Sequence, residues 1–77
     1  MNIEVVGSDV PGVPGLSFLL QAADGRHFVS SAVAEVDGWD TSVFTASAEG
    51  EIDSDDPTVS GRLSPYAAIA VLRRKLG

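Results

Sequence analysis

The segment from Ser64 to Gly77 constrains the fold more than any other, because it alone has the features of a helix from start to end. Ser64 is a typical N-cap residue, and Pro65 fits the first helical position, where no backbone donor is needed. The three cations from Arg73 to Lys75 lie in the last turn, where they interact favourably with the negative end of the helix dipole. Gly77 is a residue that typically ends a helix. Because a helix this short is marginal in isolation, the sequence predicts that it packs against other structure.

One stripe of this helix is predicted to be its docking face. Apolar side chains recur along it at helical spacing: Tyr66, Ile69, Leu72 and Leu76. We expect them to pack on large apolar side chains of a sheet, namely Phe18, Leu20, Phe28 and Phe44.

The residues before the helix predict an antiparallel meander. Strand-forming runs cover residues 2–6, 16–23, 27–36 and 41–52, and a loop with two prolines and three glycines separates the first two runs. The pair Asp24-Gly25 is typical of a type I′ hairpin turn, and a second turn is predicted from Asp37 to Asp40. The predicted fold class is α+β, a three- to four-stranded antiparallel β-meander with one C-terminal α-helix packed on one face. Residues 1–77 are predicted to form a single small domain.

The charge of the chain is unevenly distributed, and this limits the class of partner. All 11 acidic residues precede Ser64, and only Arg26 and Arg62 are basic in that part, so that the formal net charge is −6. An acidic body repels nucleic acid and attracts basic protein surfaces. The abundance of Ala, Val, Gly and Asp is typical of GC-rich genomes, such as those of actinobacteria and their phages.

No residue pattern in the chain is typical of an enzyme or a metal protein. The single histidine, His27, follows a turn, and no serine stands in a Gly-x-Ser-x-Gly motif. The acidic run from Asp53 to Asp56 lacks the glycine and glutamate of a calcium loop, because Thr58 and Ser64 occupy those positions. Without cysteine there is no disulfide framework. The sequence therefore predicts no catalytic residue, no metal and no cofactor.

Two further features concern location. No apolar run is long enough to cross a membrane, and the first residues do not resemble a signal peptide. We therefore expect no membrane partner and a cytoplasmic location, in the host cytoplasm if the protein comes from a phage.

The sheet face away from the helix is a candidate interaction surface. Four apolar residues alternate there with polar ones: Leu19, Val29, Val33 and Val43. This pattern is typical of an ordinary solvent-facing surface, and it equally fits a surface that forms a homodimer or binds a partner protein. Trp39, between acidic residues in the second turn, is interpreted either as an anchor for a partner or as a cap on the core.

The acidic run is a second candidate. Glu49, Glu51, Asp53 and Asp55 alternate, so in an extended chain their carboxylates project to one side at intervals of about 6.6 to 6.8 Å. This spacing is similar to that of phosphates along a nucleic-acid strand, which suggests a charge mimic that occupies a basic groove. The other interpretation is a charged strand end that protects a sheet edge from aggregation.

The segment from Gly61 to Leu76, GRLSPYAAIAVLRRKL, resembles the end of HicB-type antitoxin domains. In that family a hairpin or meander leads into a helix start with a serine or threonine and alanines, followed by Leu-Arg. The residues that match this pattern are Ser64, Ala67, Ala68, Leu72 and Arg73. The resemblance implies a small sheet-plus-helix fold and an antitoxin role.

The function predicted from the sequence is that of a small acidic, non-enzymatic binding protein, encoded by a phage or an actinobacterium. We expect it to inhibit or regulate a host protein by occupying a basic surface. The alternatives are a structural or accessory component of a larger assembly, such as a virion, and a HicB-like antitoxin.

Overall fold

The computed structural model describes residues 1–77 and contains one antiparallel sheet and one helix. The strands are β1 (Ile3–Ser8), β2 (Leu16–Ala22), β3 (His27–Glu35), β4 (Gly38–Ala46) and β5 (Val59–Gly61), and the helix is α1 (Pro65–Leu76). The strands lie in the sheet in chain order, with β1 and β5 at the edges. The α+β class, the antiparallel meander and the C-terminal helix are therefore confirmed. The strand count was wrong by one, because β5 has only three residues and lies outside the four predicted runs.

The turn between β2 and β3 is at the predicted position but is of another type. A type I′ turn needs positive φ at both central residues, whereas only Gly25, with φ +92°, has it here. The amide of Gly25 donates to the carbonyl of Ala22 at 2.9 Å, and the amide of Ala22 donates to the carbonyl of Arg26 at 2.8 Å. This is the three-residue hairpin loop in which a left-handed glycine follows a type I turn.

The turn between β3 and β4 is shorter and earlier than predicted. Glu35 pairs with Gly38, so that only Val36 and Asp37 form the loop, and Trp39 and Asp40 belong to β4. The two-residue loop sets the register, in which Phe28 lies opposite Thr45 and Ser30 lies opposite Val43.

This register corrects two predicted positions. Directly paired residues share a sheet face, so Val43 lies on the side of Phe28 and Ser30, beneath the helix. Phe44 points to the opposite face and does not contact the helix side of the core. The prediction failed because it assigned the faces of β4 from alternation within that strand alone, whereas pairing with β3 determines which face each side chain shares.

The helix packs over β3, β4 and β5, and its ends are as predicted. The Oγ of Ser64 accepts a hydrogen bond from the amide of Ala67 at 3.1 Å, and Gly77 ends the helix with φ +94°. Ile69 and Leu72 are buried and Leu76 is partly buried in the core, as expected. No helix in the structure is long and apolar enough to cross a membrane.

Tyr66 was wrongly included in the docking stripe. Its side chain is 77% exposed, and the buried first-turn residue is Pro65. Pro65, Ala68, Ile69 and Leu72 form the buried stripe, and Tyr66 lies about 100° around the helix from Pro65. The core consists of this stripe and of sheet residues that include Leu20, Phe28 and Val43.

We predict that Leu72→Ala lowers the free energy of unfolding by about 2 to 5 kcal/mol, because it leaves a cavity at a fully buried position. Chemical denaturation measures this loss. Tyr66→Ala removes a larger side chain from the same helix and should cost far less. Equal losses for the two variants would contradict the packing of α1.

Candidate binding cleft on the second sheet face

The sheet face opposite α1 is partly covered by the loop from Asp9 to Gly15. The loop is tied to the sheet by two serines, Ser17 and Ser31, which are both buried. The amide of Val10 donates to the Oγ of Ser17 at 2.7 Å, and the Oγ of Ser31 donates to the carbonyl of Pro14 at 2.7 Å. These serines are therefore anchors of the loop, and the prediction of a half-polar surface open to solvent is wrong in this region.

Gly15 fixes the path of the loop against β3. It has φ +74°, and a Cβ atom at this position would lie 2.2 Å from the carbonyl oxygen of Ala32. The loop also reaches the turn that follows β4, because a Cβ atom on Gly50 would lie 3.0 Å from a methyl group of Val10. The loop thus crosses the face as a second layer in place of a second helix.

Between this loop and β4 lies a cleft of about 270 Å³. Val33 and Phe44 form the apolar part of its floor, Val13 stands on the loop side, and Ile52 closes one end. The polar lining includes the exposed carboxylate of Asp40 and the hydroxyl of Ser42. The cleft is therefore a mostly apolar depression with one carboxylate at its mouth, a combination typical of sites that bind a ligand or a peptide.

The four residues predicted to form an apolar interaction surface have different environments. Val29 is fully buried, Leu19 is half-buried, and Val43 lies in the core on the other side of the sheet. Only Val33, which is 41% exposed, lines the cleft. The predicted grouping of these four residues on one exposed face is therefore wrong, and the accessible apolar surface is that of the cleft.

Trp39 lies on the helix side of the sheet, near the turn between β3 and β4. It pairs with Ala34 and is half-buried. Because its position is on the opposite side from the cleft, it is not part of the same surface. Its role as a partner anchor stays a prediction.

The acidic run does not form the extended strand that its alternation suggested. The chain reverses after β4. The amide of Gly50 donates to the carbonyl of Ser47 at 3.0 Å, and the amide of Ser47 donates to the carbonyl of Glu51 at 2.9 Å. Glu49 therefore lies in a turn, whereas Glu51 and Asp53 lie on the returning segment. The regular spacing of about 6.6 to 6.8 Å along one side of a strand was wrong.

The backbone of this run nevertheless lies close to the sheet, and so does the carboxylate of Asp53. The amide of Asp53 donates to the carbonyl of Thr45 at 3.1 Å, and Ile52 forms a bridge with Ala46. The hydroxyl of Thr45 donates to the carboxylate of Asp53. All four residues from the predicted set, Glu49, Glu51, Asp53 and Asp55, are exposed.

Most of the negative charge is not neutralised within the chain. Of the 11 acidic residues, only Asp24 and Asp37 form ion pairs, with Arg26 and Arg62, which leaves nine without one. At Asp24 the backbone amide and the guanidinium of Arg26 both donate to the carboxylate, which lowers the pKa of that group. The unpaired carboxylates give the protein a surface that attracts cations.

The single histidine and the acidic side chains are the candidates for catalysis or metal binding. His27 is half-buried and lines a second depression together with Thr45 and Asp53, and its ring forms no hydrogen bond with either of them. No group of three or more His, Cys, Asp or Glu side chains is arranged to hold a metal ion.

Comparison of the chain with protein-family models, curated proteins and solved structures finds no match. Function is therefore inferred from the geometry and charge of the chain itself.

We predict that Gly15→Ala destabilises the protein much more than Gly12→Ala. Both glycines have similar positive φ, +74° and +78°, but an added Cβ at Gly12 meets no atom within 4 Å. The strain of positive φ costs each variant about 1 kcal/mol, and only Gly15→Ala adds a clash with β3. Thermal unfolding of both variants measures the difference. Similar melting temperatures would show that the loop does not lie tightly on the sheet.

We also predict opposite effects for alanine at two neighbouring serines of β3. The Oγ of Ser30 is buried beneath α1 without a hydrogen-bond partner, so Ser30→Ala should stabilise the protein by about 1 kcal/mol. Ser31→Ala removes the bond to Pro14 and should destabilise it by a similar amount, about 1 kcal/mol. Each change corresponds to about 4 to 8 °C in melting temperature for a domain of this size. A stability loss in both variants would contradict the environment of Ser30.

Proposed function

We propose that this protein is a non-enzymatic binding protein that occupies a basic surface of a protein partner and thereby inhibits or regulates it. The observation that carries this proposal is the apolar cleft on the second sheet face, together with the unpaired carboxylates of Asp40 at its mouth and of the acidic segment after β4. Apolar surface supplies affinity, and charge supplies rapid and selective encounter.

The acidic segment after β4 supports the proposal because its backbone is fixed before binding. In addition to the bonds of Ser47 and Asp53, the amide of Thr58 donates to the carbonyl of Val43 at 2.7 Å. A segment that is already ordered loses less conformational entropy when a partner binds. Like charges on such a segment repel each other, and a cationic partner removes this cost.

A HicB-like antitoxin is a narrower form of the same proposal, in which the partner is a toxin. It rests on the resemblance of the segment from Gly61 to Leu76 to the end of HicB-type antitoxin domains.

A component of a larger assembly is a separate alternative, favoured by the open edge of β1, where Val5 and Val6 are about half exposed. The register shift between Val5 and Gly7 and the charge of Glu4 oppose strand pairing at this edge. Homodimer formation remains a prediction, which sedimentation at high concentration tests.

The proposal is tested by affinity capture from cells of the source organism, followed by binding measurements with the captured protein. We expect a partner with a basic surface and an affinity that falls between 0.1 M and 1 M salt, as the Debye length decreases from about 10 Å to about 3 Å. Binding that does not depend on salt, or a partner with an acidic surface, would contradict the proposal.

Two matched charge reversals then locate the surface. Glu51→Lys changes the acidic segment, whereas Glu4→Lys changes an exposed carboxylate on the distant edge strand, and both shift the net charge by two units. We expect Glu51→Lys to weaken partner binding by about tenfold and to slow association, and Glu4→Lys to have a small effect. Equal effects would mean that only the total charge matters.

A further inference from the structure

We infer that the cleft holds an extended segment of the partner that carries one apolar side chain and, two residues away, one lysine or arginine. This inference rests on the proposed function and specifies which part of a basic partner is recognised. It follows from the order in which apolar and charged groups are placed along β4.

The groups that line the cleft are ordered from charged to apolar. Asp40, Ser42 and Phe44 alternate along β4 and therefore point to the same side of the sheet. Asp40 and Phe44 are four residues apart in β4, so their side chains start about 13 Å from each other. In an extended peptide, alternate side chains start about 6.6 to 6.8 Å apart, and a long basic side chain extends over much of the remaining distance.

The apolar end of the cleft fits a side chain of the partner. Phe44 is half-buried and Ile52 is 38% exposed, so both retain surface that a bound apolar side chain would remove from water. Val13 adds an apolar wall from the loop. Burial of such surface favours binding because it removes apolar area from water.

The charged end of the cleft selects for a cation. Asp40 lies directly opposite Val33 in the sheet and forms no ion pair. Glu35 lies two residues beyond Val33 on the same face of β3, and it is also unpaired. Arg62 is engaged by Asp37, in the turn between β3 and β4, and is therefore not the partner of either carboxylate. The stem of a lysine or arginine would pack on Val33 while its charge meets these two carboxylates.

The cleft is tested by NMR titration of the isotope-labelled protein with short peptides. The probes are Ac-Leu-Ala-Arg-NH₂ and its reverse, Ac-Arg-Ala-Leu-NH₂, because the order of groups in the cleft fits both chain directions. The controls replace arginine with glutamate or leucine with glycine. We expect saturable shifts of the amides of Val33, Ser42, Phe44 and Ile52 with at least one arginine–leucine peptide, and binding at least threefold weaker for each control.

Two matched variants assign the charge contact. Asp40→Asn removes the carboxylate in the cleft, and Glu4→Gln removes an exposed carboxylate outside it. We expect Asp40→Asn to weaken peptide binding by roughly threefold to tenfold, and Glu4→Gln to leave it unchanged. Shifts spread over the acidic surface, equal binding of the glutamate control, or no effect of Asp40→Asn would overturn the inference.

The same variants separate this inference from the proposed function. If the captured partner binds Asp40→Asn with unchanged affinity while Glu51→Lys weakens it, the protein binds a basic surface through its acidic segment and the cleft inference is wrong. If neither change affects the partner and binding does not depend on salt, the proposed function itself is wrong.

Discussion

The pairing of β3 with β4 is the interaction on which both the core and the cleft depend. The two-residue turn of Val36 and Asp37 sets a register in which Val43 faces α1 and Phe44 faces the cleft. A slip by one residue would exchange every side chain of β4 between the two faces, placing Asp40 beneath the helix and removing Val43 from the core. One short turn therefore determines which side chains stabilise the fold and which remain available for binding.

The two faces of the sheet are covered in different ways. On one face α1 buries a continuous core, and on the other the loop from Asp9 to Gly15 covers β2 and β3 but leaves part of β4 open. A loop can be buried only where its backbone polar groups find partners. Ser17 and Ser31 provide these partners, and they also explain why polar residues occupy inward-facing positions on these strands.

Features that depend on local chemistry were predictable from the sequence. The N-cap of Ser64, the end of the helix at Gly77 and the left-handed Gly25 all follow from residues close in the chain. Features that depend on strand register could not be predicted in this way. Phe44 and Val43 were assigned to the wrong faces of the sheet, and the sequence analysis missed that Asp40 and Ile52 line one cleft. The available indication was the loop itself, in which Pro11, Pro14 and closely spaced glycines favour one defined conformation rather than a flexible linker.

The order of the strands has a consequence for how the chain reaches this structure. Every strand pairs with its neighbour in the sequence, so the sheet can assemble from successive hairpins without long loop closures. The helix follows all five strands, and the core remains incomplete until it arrives. During synthesis, Leu20 and Phe28 are therefore exposed to water on an assembled or partly assembled sheet. The core is complete only when α1 docks on the sheet, and this docking removes the apolar surface that makes the nascent chain prone to aggregation.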